Sequence, residues 1–216
     1  MRERVKSTAL SLLATVLLYT PSWALADTTL PAPQTSGGEG IFTALKARRS
    51  DTQNNFPTNA LSKQELSTLL WAASGLNREG KGWTAPYGLG SAPYVRVYVA
   101  DAGGVSLYDW KTHALKAISN EDIRHLVGRQ NVVKNAPTVL ILVADKRMLS
   151  RAGDEHGQMA WAYLASGAMT QNVYLAAASM NVGARFVITM DTNAVTEKLG
   201  LSKEDVPLNL MLLGKR

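Results

Sequence analysis

Residues 155–180 set the tightest limit on how this chain folds. They read as one helix with apolar side chains on every side: Met159, Trp161, Tyr163, Leu164, Met169, Val173, Tyr174 and Leu175. Ala160, Ala162, Ala165, Ser166, Gly167 and Ala168 fill the gaps. A helix that is apolar all round is buried. At 1.5 Å per residue it spans roughly 39 Å, longer than one small domain needs. Either it kinks at Gly167, or it runs through a core completed by a second subunit. His156, Gln171 and Asn172 argue against a membrane span.

The remainder of the 216 residues suits a single domain around that helix. With 46% hydrophobic and 19% charged residues, the chain is globular and not disordered. It has no cysteine, which excludes a disulfide scaffold, a thiolate nucleophile, Cys-ligated zinc and iron–sulfur clusters. Redox chemistry would have to come from a bound cofactor.

Residues 1–26 read as a secretory signal peptide. Arg2, Arg4 and Lys6 form a basic start, an apolar stretch runs from Thr8 to Tyr19, and Ala24-Leu25-Ala26 supplies the small-x-small cleavage pattern. The other reading is an uncleaved anchor, since the apolar run is near the short limit for a span. Cleavage after Ala26 would leave 190 residues with a formal charge of +4 and no later membrane span, in a periplasmic or secreted protein. That mild excess suits small anionic ligands and is no nucleic-acid footprint.

Residues 27–40, rich in Pro, Thr and Gly, are expected to be a flexible, extended leader, and residues 41–216 one domain. Residues 41–49 predict a short helix whose last turn carries Arg48 and Arg49. Ser62 and Glu65 form a capping box for a helix that Gly75 ends. Residues 77–93 hold four glycines and are expected to be loop. Strands are predicted at 95–100 and 105–108 around a hairpin, at 138–144 (buried), at 186–190 and at 208–213. Asn120 is the expected cap of a short helix ending at Val127, and Thr192 or Asn193 of another closed by Gly200.

The chemistry-bearing signals are few. HExxH, GxSxG and GxxxxGK[ST] are all absent, and no pair of histidines has ligand spacing. No metal site is expected: Asp154-Glu155-His156 reads as a helix N-terminal cap. Arg48-Arg49-Ser50 is more informative, because two guanidinium groups and a hydroxyl can grip one phosphate. The more general reading of the same residues is that they neutralise a helix C-terminal dipole. Lys215 and Arg216 are a second basic pair, either phosphate ligands or a frayed terminus.

Several segments, in order, resemble the FMN-dependent nitroreductase family, nearest its SagB-type, azoline-oxidase-like branch. They are Arg48-Arg49-Ser50, LSxxELSxLLWAASGxNR at 61–78, the TAP loop at 84–86, GVxLYD at 104–109, APxxLxLVAD at 136–145, QNVYLAAAxxxxG at 171–183 and LGL…PLxLMxxGK at 199–215. The resemblance implies an α+β fold, with a central, mainly antiparallel sheet flanked by helices and the long helix in a homodimer interface. It implies FMN in a cleft between subunits. Arg48, Arg49 and Ser50 would hold its phosphate; Pro86, Tyr87 and Gly88 would line the ring; Lys215 and Arg216 would complete the phosphate site. It also implies ping-pong transfer through flavin N5, from NAD(P)H or an envelope donor to a nitro, quinone or similar small-molecule acceptor, with no catalytic side chain required. The alternative is an envelope flavin- or ligand-binding protein without turnover. The chain departs from the family at Tyr87, where a serine is common, and at Thr52, where a basic residue is common.

Overall fold

Seven strands form the main sheet of this protein, a computed structural model of which describes residues 25–89 and 92–216. The predicted signal peptide up to Ala24, and Gly90 and Ser91 of the glycine-rich loop, lie outside the described residues. In chain order the elements are β1 (Thr28–Thr29), α1 (Ile41–Ala47), α2 (Lys63–Ser74), β2 (Leu76–Asn77), β3 (Gly82–Trp83), β4 (Val95–Asp101), β5 (Gly104–Asp109) and β6 (Ala114–Ser119). Then follow α3 (Arg124–Val127), α4 (Asn131–Asn135), β7 (Thr138–Asp145), α5 (Glu155–Ser179), β8 (Val182–Val187), α6 (Thr192–Leu199) and β9 (Asp205–Lys215). The sheet order is β1-β6-β5-β4-β7-β9-β8, and every neighbouring pair is antiparallel. This is the α+β, helix-flanked antiparallel architecture that the resemblance implies.

β7 explains why its sequence is apolar without a break. Leu140, Leu142 and Ala144 pack into one core, with α2 and α5. Val139, Ile141 and Val143 pack into a second core on the other face, with α3, α4 and α6. A strand covered on both faces reads as a continuous apolar run, and its polar residues, Thr138 and Asp145, stand at its two ends.

The predicted α5 is a single helix that continues through Gly167. Asp154 caps it, its carboxylate accepting from the Gly157 N–H at 2.9 Å. Within one chain the helix is buried on one side only. Tyr163, Leu164, Gly167 and Gln171 are exposed, Leu164 by 66%. The capping box on α2 is also present: the Glu65 N–H donates to Ser62 Oγ, and the Ser62 N–H to the Glu65 carboxylate.

Other expectations shift. β8 begins at Val182, four residues early, because Asn181 turns the chain with a left-handed φ of 54°. β9 extends to Lys215. α3 begins only at Arg124, and Asp191, not Thr192 or Asn193, caps α6 by accepting from the Ala194 N–H. β6 and its partner β1 lack a sequence signal strong enough to predict.

The leader is extended, but tied down. Leu30 is buried, and its N–H donates to the His113 carbonyl. Ser67 Oγ donates to the Pro31 carbonyl, Gln64 to the Ala32 carbonyl, the Gln34 N–H to Thr68 Oγ1 and the Glu39 N–H to Ser179 Oγ. Residues 34–38 thereby roof a cavity of about 440 Å³ over α2 and the end of α5.

Gly183 and Gly214 lie opposite one another in the β8–β9 register. A Cβ at Gly183 would fall 2.5 Å from the Pro57 ring, and one at Gly214 2.2 Å from the Pro57 carbonyl oxygen. The missing side chains open a trough into which the segment after α1 settles. There the Lys215 N–H donates to the Asn59 carbonyl. This trough brings residues 48–59 against the last two strands. Among the described residues, no helix is long and apolar enough to cross a membrane.

Candidate functional site

α1 closes at Ala47, where the Arg48 N–H donates to the Ala44 carbonyl and the backbone then turns extended. Arg48 and Arg49 therefore lie beyond the last helical turn in which they were expected. Each has a partner of its own. The Arg48 guanidinium sits over the Tyr174 ring, 5.1 Å from its centre. Arg49 Nε lies 3.4 Å from Asp51 Oδ1, with its side chain 65% exposed. Ser50 Oγ is 2.5 Å from the Tyr174 hydroxyl.

Asp51 is the carboxylate around which the cluster forms. It is only 8% exposed. Its Oδ2 accepts from the Ala184 N–H at 2.9 Å and from Arg216 at 2.8 Å. Its own N–H donates to the Ala184 carbonyl, and its carbonyl accepts from Arg185. One side chain thus ties the loop after α1 to β8 and to the C-terminal arginine. Arg185 Nε is buried with no hydrogen-bond partner.

The two terminal basic residues diverge. Arg216 joins Asp51, whereas Lys215 forms an ion pair with Glu65 in the first turn of α2. Both are held, so the frayed-terminus reading is set aside. Burial pushes the Glu65 carboxyl up, but the Lys215 ammonium and the Ser62 N–H and hydroxyl outweigh it and leave it below its ordinary value.

The loop of Pro86, Tyr87 and Gly88 packs against a different stretch of α5, around Trp161 and Met169. The Tyr87 hydroxyl is 2.7 Å from Ser74 Oγ and 3.3 Å from Met169 Sδ. Its ring meets Trp83 and Tyr94 edge-on, with centres 6.0 and 5.1 Å apart. Burial raises the pKa of this phenol. Gly88 lies against the Trp161 ring, where a Cβ would come within 2.3 Å. Pro86 is exposed and, with Asn77, Arg78, Lys81 and Trp83, borders a cavity of about 390 Å³. Asn172 anchors the loop by donating to the Thr84 carbonyl at 3.0 Å. Asn77 Oδ1 and Trp83 Nε1 are buried without partners.

The structure thus gathers Arg48, Arg49, Ser50 and Arg216 around Tyr174 and Asp51, and holds the loop of Pro86, Tyr87 and Gly88 against another part of α5. Asp51, Tyr174 and Arg185 are the members that sequence reasoning missed. The one available signal was an acidic residue directly after Arg48-Arg49-Ser50.

This donor set fits a phosphate. Arg49 and Arg216 pair with the buried Asp51 carboxylate, Arg185 with its backbone carbonyl, and Arg48 lies on the neighbouring Tyr174 ring. Asp51 engages one nitrogen each of Arg49 and Arg216, and a guanidinium carries five N–H donors. The remainder, with the Ser50 hydroxyl and the unpaired Arg185 Nε, is the chemistry an anionic monoester needs. Among the described residues, no group of three or more His, Cys, Asp or Glu could hold a metal ion.

Comparison with known proteins gives a consistent result. The Nitroreductase family model matches residues 45–215. A protein of Methanocaldococcus jannaschii named as a nitroreductase is 29% identical over 168 residues, which cover 74% of this chain and 83% of that one. A solved structure from Ralstonia eutropha, also described as a nitroreductase, is 32% identical and has a TM-score of 0.80; the match covers 88% of this chain and 89% of the other. A chain of the E. coli microcin synthetase McbBCD complex shares the fold alone, at 18% identity and a TM-score of 0.63, over 97% of this chain and 84% of its own. The matched span begins just before the arginine pair and ends on Lys215, so it takes in nearly all of the site: this chain belongs to the nitroreductase family.

Proposed function

We propose that this protein is an exported, FMN-dependent oxidoreductase that works as a homodimer. Its phosphate anchor is Arg48, Arg49 and Ser50, supported by Arg216. The observation that carries the reading is the convergence of these residues, distant in sequence, on Tyr174 and buried Asp51.

When bound, the flavin would supply the redox chemistry for ping-pong transfer from NAD(P)H or an envelope donor to a nitro, quinone or similar acceptor. The chain's residues bind and orient. Guanidinium groups neutralise the phosphate, and Ser50 adds a hydroxyl donor. The loop of Pro86, Tyr87 and Gly88 is the wall for the ring; Tyr87 stiffens it from the core side. The long match of residues 61–78 to the SagB-type segment supports placement nearest that branch.

The homodimer reading rests on an apolar face. Ile41, Phe42 and Leu45 of α1, Tyr163 and Leu164 of α5, and Phe186 and Ile188 at β8 are all exposed, Phe42 by 83%. A soluble monomer rarely leaves so many large apolar side chains on one side. A second copy would cover them, completing the burial that an all-round apolar helix demands.

The test is the visible spectrum of the purified protein, before and after FMN is added. A yellow protein bleached by NAD(P)H under argon is expected. A yellow protein that no donor bleaches would favour a flavin-binding envelope protein. A colourless chain that ignores FMN would overturn the flavoenzyme reading and favour a ligand-binding envelope protein. Arg48→Ala with Arg49→Ala should weaken FMN binding by about 2–6 kcal/mol, since two charge-assisted sites are lost.

A further inference from the structure

We infer that Tyr174 is a positioning residue of the anion site, aiming the Ser50 hydroxyl at a phosphate oxygen. This rests on the reading of Arg48, Arg49 and Ser50 as a phosphate anchor, and adds a residue that the reading does not contain.

Tyr174 is almost fully buried in α5, yet its hydroxyl stands at the edge of the arginine cluster. That oxygen accepts the backbone N–H of Phe186 at 2.7 Å. The same oxygen is 2.5 Å from Ser50 Oγ, and either could donate. A hydroxyl carries one proton and two lone pairs. If Ser50 gave its proton to Tyr174, it would turn only lone pairs toward an arriving anion. The opposite order leaves nothing opposed. Phe186 N–H donates to Tyr174, Tyr174 O–H donates to Ser50, and the Ser50 proton is free to point outward. An anion therefore selects that order, and each bond in the chain strengthens the next.

The ring of Tyr174 has a second task, since the Arg48 guanidinium lies over its face. One side chain thus fixes two of the anchor groups. Tyr174→Phe keeps the ring and removes only the oxygen, so it isolates the relay from the cation–π contact.

The experiment compares FMN with riboflavin, which lacks the phosphate, by fluorescence titration of the full chain. The wild-type protein should prefer FMN. Tyr174→Phe should cut that preference roughly tenfold and leave riboflavin affinity unchanged, as expected for a lost bond to a charged group. Ser50→Ala should do the same. Combining the two should cost no more than either alone, because they break one relay. A thermal melt of each variant checks that it folds. A wild-type preference that survives Tyr174→Phe, or losses that simply add, would overturn this inference alone. Equal wild-type affinity for both flavins would overturn the phosphate anchor and the relay together.

Discussion

Gly88 shows how little freedom single positions have around this site. Its backbone φ is ordinary, so the constraint is steric, from the Trp161 ring at 2.3 Å from a would-be Cβ. Gly88→Ala should cost about 1–3 kcal/mol in urea unfolding, the usual penalty for overpacking. Tyr87→Phe should cost about 1 kcal/mol in the same measurement, since its hydroxyl is paired with Ser74 inside the protein. Arg48, Arg49 and Ser50 were legible as candidates because charge and a hydroxyl stand side by side. Asp51 and Tyr174 were not. Two partners of Asp51, Ala184 and Arg216, lie 133 and 165 residues away, and those of Tyr174 include a serine 124 residues back. Local pattern carries no trace of such pairings; it shows Tyr174 only as one more apolar residue in a helix.

The second helix is the element whose sequence and structure agree best. Its start is written in Ser62 and Glu65 and appears as a reciprocal cap. Glu65 also holds Lys215, so one carboxylate fastens the helix start to the last strand. Its pKa is depressed in the folded state. A depressed carboxyl stabilises the fold above its unfolded pKa, roughly 4.3, and loses that contribution as pH falls through the lower folded value. The wild-type melting temperature should therefore drop more steeply below pH ~4 than that of Glu65→Gln, which should already be less stable at pH 7. Equal slopes in a calorimetric pH series would contradict this. The sixth strand was illegible for a different reason. It carries Lys116 and two alanines, and its outer partner is a two-residue strand from the leader. That pairing exists only because Leu30 is buried and bonded to His113. No window of the sequence contains both halves.

For the whole molecule, the decisive question is what covers the exposed side of the long helix. Its composition announces burial on all sides, but one chain supplies only half. Leu164→Glu places a charge in the middle of the uncovered face. Light scattering should report half the wild-type mass, and FMN affinity should fall if the flavin cleft spans two subunits. A wild-type protein already at the mass of one chain would refute the dimer. The fold class was readable through the resemblance of ordered segments to a known family, and the apolar runs located several of the strands; what covers the exposed side of the long helix was not. The paired glycines of the last two strands carry a further consequence for anyone evolving this protein. Position 214 faces a carbonyl of the main chain, which no neighbouring substitution can trim away. In a library randomised at 183 and 214, glycine should return at 214 almost without exception, while second-site suppressors at Pro57 should rescue only changes at 183.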